Sequence, residues 1–166
     1  MKEVDVKTLM LNPMTRIGDD WMLITAGCKE RGYNTMTASW GHLGCIWGGY
    51  TSVCYIRPQR YTKSFVDRED LYTLCFFPGY KKELGYLGSH SGRDEDKVAK
   101  TGLTPAFGDG FTYFEEADLV LVCRKLYRAP VLEDGFLDRD LMDKCYPDRD
   151  FHDLYVGRIE KVLVKE

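Results

Sequence analysis

The sequence predicts a mainly β fold, a β-barrel with short helices, in one domain over residues 1–166. Six β-prone runs, close to the usual strand length of about five to six residues, are separated by glycines and polar turns. The helical patterns between them are short. A chain of 166 residues also suits one core, because chains divide into further domains only beyond roughly 200 residues. Six strands at this density point to a closed barrel or a sandwich.

Taken in order, residues 21–25, 33–40 and 52–56 are the first three strands. Residues 71–77 follow, ended by the turn dipeptide Pro78-Gly79. Residues 119–126 form a longer run rich in β-branched side chains, and 153–164 the last strand. There the apolar alternation through Leu154 and Val156 breaks at Gly157 and resumes at Ile159. A bulge at Gly157 explains the slip, as does a strand end. Among the helices, Thr62 is placed to cap 63–69, with Tyr61 and Val66 as a hydrophobic staple. Residues 81–87 bring Leu84 and Leu87 onto one side and stop near Gly88. A third helix over 95–100 starts from Ser91 or Asp94 and ends before Gly102.

Hydrophobic residues make up 44% and charged residues 30%, ordinary values for a folded domain. The 23 Lys and Arg against 26 Asp and Glu give a net charge of −3, so no global basic field recruits nucleic acid or an anionic membrane. No apolar run approaches the roughly 20 residues that span a bilayer, and Met1 to Val6 lack a signal-peptide core, so a cytoplasmic location is expected. The cysteines Cys28, Cys45, Cys54, Cys75, Cys123 and Cys145 are dispersed among mostly apolar neighbours, as reduced core thiols are.

The stretch from Arg57 to Ser64 is the most informative. Arg57, Arg60 and Lys63 precede or open a predicted helix. A helix start exposes unpaired N–H groups and a partial positive charge, so the backbone near Lys63 and Ser64 can hold an anion, with Arg57 and Arg60 adding charge-assisted bonds. Pro58 stiffens the turn by fixing its own φ and biasing Arg57 toward extended geometry. The whole reads as a phosphate pocket; a solvated basic turn is the competing reading.

Two further stretches supply matching groups. In residues 34–41, alternation puts Asn34 and Met36 on one face and Thr35, Thr37 and Ser39 on the other, beside Trp40. Small hydroxyls next to a large ring can bond a polar cofactor while the ring stacks on it, although a core tryptophan with exposed threonines has the same pattern. In residues 91–97 a helix start is followed by Lys97, which can fold back onto an anion or remain solvated. Other chemistry finds little support: there is no dinucleotide fingerprint, Walker loop, nucleophile elbow or His-Glu-x-x-His. His42 and Cys45 have ligand-like spacing without a second pair, so no metal site is expected.

In this order the segments resemble the flavin reductase-like family with its FMN-binding split barrel, and within it the flavoredoxin-like branch. The family pattern Asn-x-Met-Thr-Ala-Ser-Trp-Gly stands at 34–41, Arg-Pro-x-Arg-Tyr-Thr at 57–62, Ser-Gly-Arg-Asp-x-Asp-Lys at 91–97 and Gly-Leu-Thr-Pro at 102–105. His152 and Gly157 match the family's entry to the last strand. The resemblance extends over residues 20–166, while Asp109 to Tyr146 carry no matching motif.

The resemblance implies non-covalent FMN as cofactor and NADH or NADPH as hydride donor. Asn34, Thr37, Ser39 and Trp40 would line the flavin site, with Arg57, Tyr61, Thr62, Ser91 and Lys97 toward the ribityl phosphate and His152 near the reacting ring. Lys97 or an arginine would also stabilise the reduced ring. Arg158 stands where the family commonly has an acid. A homodimer is implied, with flavin at or near its interface. The implied activity is that of an NAD(P)H-dependent flavin reductase; the alternatives are an FMN electron carrier that meets redox proteins and a split barrel that has lost its flavin. Trp47, Gly48 and Gly49 suit either a nicotinamide edge or a partner surface.

Overall fold

In the computed structural model, which describes residues 1–166, ten strands and four helices follow one another along the chain. They are β1 (Lys2–Val4), β2 (Met22–Cys28), β3 (Gly32–Ala38), β4 (Gly41–Ile46), β5 (Gly49–Ile56), α1 (Tyr61–Arg68), β6 (Leu71–Phe76), α2 (Lys81–Ser89), α3 (Lys97–Thr101), β7 (Pro105–Gly108), β8 (Phe111–Phe114), β9 (Leu119–Pro130), α4 (Arg139–Cys145) and β10 (Asp153–Val164).

The main sheet is antiparallel in the order β3-β2-β6-β9-β10-β5-β4, with β1 also pairing on β10. Its two edges, β3 and β4, are consecutive in the chain and joined only by Ser39 and Trp40. Three residue steps reach at most ~11 Å, so the sheet must roll until its edges nearly meet. The expected barrel follows from this link. Gly41 makes the turn possible, since a Cβ there would lie 2.9 Å from the Val53 carbonyl.

Strand alternation divides the core. Ile24, Leu74 and Leu121 point into the barrel with Ile56, Tyr72 and Tyr155, whereas Leu23, Cys75 and Val120 point outward. The outward set is covered by Leu84 and Leu87 of α2, Val98 of α3, and Phe111 and Phe114 of the β7–β8 hairpin. With both faces covered, all seven residues of β2 are buried.

Several local expectations are corrected. α1 begins two residues earlier than a Thr62 cap would give: Arg60 occupies the cap without a side-chain bond. The Thr62 hydroxyl instead accepts from the Asn34 amide at 2.8 Å, so a tertiary bond takes the group that would have capped the helix. The staple is replaced by Tyr61 against Phe65, one turn apart, with ring centroids 5.1 Å apart. α3 begins at Lys97 and is capped by Asp96, which accepts from the Ala99 N–H at 3.0 Å; Ser91 and Asp94 belong to the preceding turn. The slip at Gly157 is real, but the extra residue is Leu126 on the partner strand β9. Gly157 is needed for another reason: Tyr72 lies against it, its hydroxyl 2.3 Å from where a Cβ would be. Cys28, Cys54, Cys75 and Cys123 are buried thiols, but Cys45 is exposed and Cys145 only partly covered. No helix is long and apolar enough to cross a membrane.

Candidate functional site

Two cavities meet at Arg60. One, of about 300 Å³, lies between the start of α1 and the α2–α3 connection and is lined by Asn34, Tyr61, Thr62, Gly88, Ser91 and Lys97 among others. The other, of about 260 Å³, runs along residues 36–40 to Tyr55, Arg57 and His152. Arg60 is common to both, so they form one trough from α1 to the Ser39–Trp40 link.

The first cavity is a polar cradle lined by cations and the start of a helix. The N–H groups of Tyr61 and Thr62, in the first turn of α1, have no intrahelical carbonyl to bond. Arg60 Nη1 donates to the Gly88 carbonyl at 2.7 Å. Lys97, only 3% exposed, donates to the carbonyls of Leu87 and His90 at 2.8 and 3.1 Å. Neither cation forms an ion pair. Burial lowers the pKa of Lys97 to about 8, with the Arg60 charge adding to the effect, and burial lowers Arg60 as well. A buried ammonium beside a half-buried guanidinium, neither with a bonded carboxylate, favours an anionic ligand. Gly92 closes the cradle: a side chain there would strike Asn34 Oδ1 at 2.2 Å.

The second cavity has the character of a ring site. Trp40, 43% exposed, forms a wall beside His152, their centroids 5.0 Å apart. His152 is buried, and Tyr146 Oη lies 2.8 Å from its Nδ1. The Tyr146 hydroxyl has no other protein acceptor, so it donates to Nδ1 and the proton of the neutral imidazole is assigned to Nε2. Burial, then the Arg57 charge, push the pKa of His152 down to about 4. The imidazole is therefore neutral near pH 7, with Nε2–H free of protein partners.

All ten residues singled out in the sequence line the trough, but Arg57 and Thr37 are used differently from expectation. Arg57 does not line the first cavity: it pairs with Asp150, donates to the Cys145 carbonyl at 2.9 Å and lies over the Tyr146 ring, which puts its charge beside Trp40 and His152. Lys97 lines the first cavity and not the second, away from Trp40 and His152. Thr37 donates its hydroxyl to the Leu84 carbonyl at 2.5 Å, holding α2 against β3. Thr62 is a lining residue and not a cap. Lys63 and Ser64 stay outside, Lys63 pairing with Asp67 and Asp153 and Ser64 bonding back to Tyr61. Thr35 is fully buried, its hydroxyl 2.7 Å from that of Thr25, and does not join the expected hydroxyl row.

Other parts lie elsewhere. Arg158 rests over Gly49 rather than beside His152, and Trp47 and Gly48 form the two-residue β4–β5 turn, both with positive φ, away from the trough. Lining residues not anticipated include Gly88, His90 and Tyr55. Only Tyr55 carried a signal, as a member of a predicted strand.

No protein-family model and no curated protein matches the sequence. Solved structures do match. The flavoredoxin of Desulfovibrio vulgaris (Miyazaki F) is 21% identical with a TM-score of 0.68, over 88% of this chain and 69% of that one. An FMN-binding protein from Thermus thermophilus, with bound p-hydroxybenzaldehyde, is 22% identical with a TM-score of 0.68, over 100% of this chain and 83% of that one. Nitrilotriacetate monooxygenase component B from Bacillus cereus is 14% identical with a TM-score of 0.68, over 100% and 82% of the two chains. The fold is that of the FMN-binding split barrels of flavin reductase-like proteins.

Proposed function

We propose that this chain binds FMN non-covalently along the trough and serves as an NAD(P)H-dependent flavin reductase. The observation that carries the reading is the buried Lys97 and the half-buried Arg60, neither in an ion pair, at one end of a trough whose other end is aromatic. Ser91, Thr62 and the first N–H groups of α1 would join them on the phosphate. One phosphate cradle suits a mononucleotide better than a dinucleotide.

When bound, FMN would supply two-electron redox chemistry, with NADH or NADPH as hydride donor. The chain's own residues orient and tune. Trp40 and the backbone from Met36 to Ser39 wall the ring end, and Asn34 fixes α1 against β3 through Thr62. Arg57 supplies positive charge there, held by Asp150, and favours added negative charge on a nearby ring. His152 offers a neutral Nε2–H donor that does not titrate near pH 7.

FMN titration of the purified protein, followed by anaerobic stopped-flow mixing with NADH and NADPH, tests both parts. Micromolar FMN binding and rapid bleaching by either nucleotide are expected. A chain that takes up no FMN would overturn the reading.

A second reading, an FMN electron carrier, is favoured by an exposed apolar face of Ile46, Trp47, Tyr50 and Tyr127, the Trp47 and Tyr127 rings 5.9 Å apart. The same face supports the homodimer that we include in the proposal. Sedimentation velocity separates a self-associating chain from a monomer, and reduction by a ferredoxin-type donor but not by NAD(P)H would favour the carrier. The four thiols packed in the core are consistent with the cytoplasm as location.

A further inference from the structure

A third cavity, of about 600 Å³, adjoins the trough and shares Ser39, Trp40 and Tyr55 with it. Much of the rest of its wall comes from outside the matched motifs: Met14 and Ile17 in the single wide turn of Met14–Asp19, and Phe136 and Tyr146 from the segment after β9. The volume falls within the range of roughly 300–1,000 Å³ typical of small-molecule sites.

The chemistry of the wall is selective. No Lys, Arg, Asp or Glu lines this cavity, in contrast to the cradle. An ionised ligand placed there would give up hydration with no Lys, Arg, Asp or Glu on the wall to pair with, a cost that a neutral one largely escapes. Trp40, Tyr55, Phe136 and Tyr146 present four rings, the surface that a flat aromatic molecule covers best. The polar side chains are few: Ser39, the His42 imidazole, the Tyr146 hydroxyl, and the Tyr55 hydroxyl, which lies 3.4 Å from His42 Nδ1.

We infer that this cavity is a second ligand site, for a neutral, flat aromatic molecule of one or two rings with an oxygen substituent in reach of Tyr146 or Tyr55. Its shared wall with the trough makes that molecule the second substrate of the site; this clause rests on the flavin reading, whereas the binding does not. Tyr146 connects the two compartments, lining this cavity while its hydroxyl bonds the His152 that lines the trough.

The test is calorimetric titration of FMN-free protein at pH 7 with 2-naphthol, which is neutral, and 2-naphthoate, its anionic counterpart, with sedimentation velocity on the same samples. Naphthol is expected to bind at least ~10-fold more tightly than naphthoate. Phe136→Asp is expected to weaken naphthol binding at least ~10-fold and to leave FMN affinity unchanged. Met14→Asp, at a position 76% exposed and therefore tolerant of substitution, repeats the test should the first variant fail to fold. Equal binding of naphthol and naphthoate, or naphthol binding unaffected by both variants, overturns the proposal. So does a dimer that binds no naphthol and that either variant dissociates, because a second copy of the chain would then fill the cavity. Selective naphthol binding by a protein that takes up no FMN would leave this site standing while removing the flavin reading.

Discussion

Arg60 and Lys97 face one cavity, and the charge of Arg60 adds to burial in bringing the Lys97 ammonium down to a pKa of about 8. An anion between them reverses both effects, so the bound form keeps Lys97 protonated to higher pH. Below pH 8 the free protein already carries that proton; above it, binding must first take one up. Affinity for FMN, or for inorganic phosphate, is therefore expected to fall as pH rises through about 8. Calorimetry in buffers of different protonation enthalpy should register proton uptake between pH 8 and 9, starting at the Lys97 midpoint of about 8. Lys97→Met should abolish the step and weaken binding by about 10- to 100-fold, the worth of a charge-assisted hydrogen bond.

The two arginines of the Arg57–Arg60 turn are expected to separate experimentally. Arg60 lines the cradle, so Arg60→Gln should cost about 1.5–3 kcal/mol of FMN affinity in a fluorescence titration. Arg57 is committed to Asp150 and to the Cys145 carbonyl, so Arg57→Gln should cost less affinity. It should instead lower the reduction potential of the bound flavin, measured by spectroelectrochemistry, since the positive charge beside the ring end is removed. An equal loss of affinity in both variants would place the two side chains at the same end of the ligand.

This division was only half legible in the sequence. The strands were visible because β2, β6 and β9 bury nearly everything along much of their length and read as continuous apolar runs. β4 is hard to read because all six of its residues are partly or fully exposed without a regular apolar alternation, and the β7–β8 hairpin is only two four-residue strands around the Asp109-Gly110 turn. At the site, the turn from Arg57 to Ser64 was recognisable as cationic, but which cation faces the ligand depends on Asp150, which is 93 residues away. Local spacing carries no information on such a partner. Gly88 and His90 lacked a signal for a related reason: their parts are played by helix-end carbonyls, which every residue has.

Gly157→Ala tests the packing inside the barrel. Its Cβ would lie 2.3 Å from the Tyr72 hydroxyl oxygen and 2.7 Å from the ring carbon that bears it. Tyr72 is 1% exposed, and its hydroxyl lies 2.9 Å from that of Ser52, so the ring has little room to give. Overpacking of this kind costs about 1–3 kcal/mol. Urea denaturation should show at least that loss, and Tyr72→Phe in the same chain should recover only part of it, because the ring carbon still collides.

His152 gives the fold a predictable response to acid. Its folded pKa, about 4, lies below the ordinary value of 6.5, so between these limits the unfolded chain binds more protons. Its contribution to stability is therefore complete above pH 6.5 and is lost progressively as pH falls toward 4. Carboxylates add their own slopes at the lower end, and a variant isolates the histidine. In urea titrations at intervals between pH 7 and 4.5, the chain with His152 should lose stability more steeply on acidification than His152→Gln, which cannot titrate. Parallel curves would mean that the imidazole is as easily protonated in the fold as outside it, and the neutral Nε2–H donor assigned to the ring end of the trough would then have to be abandoned.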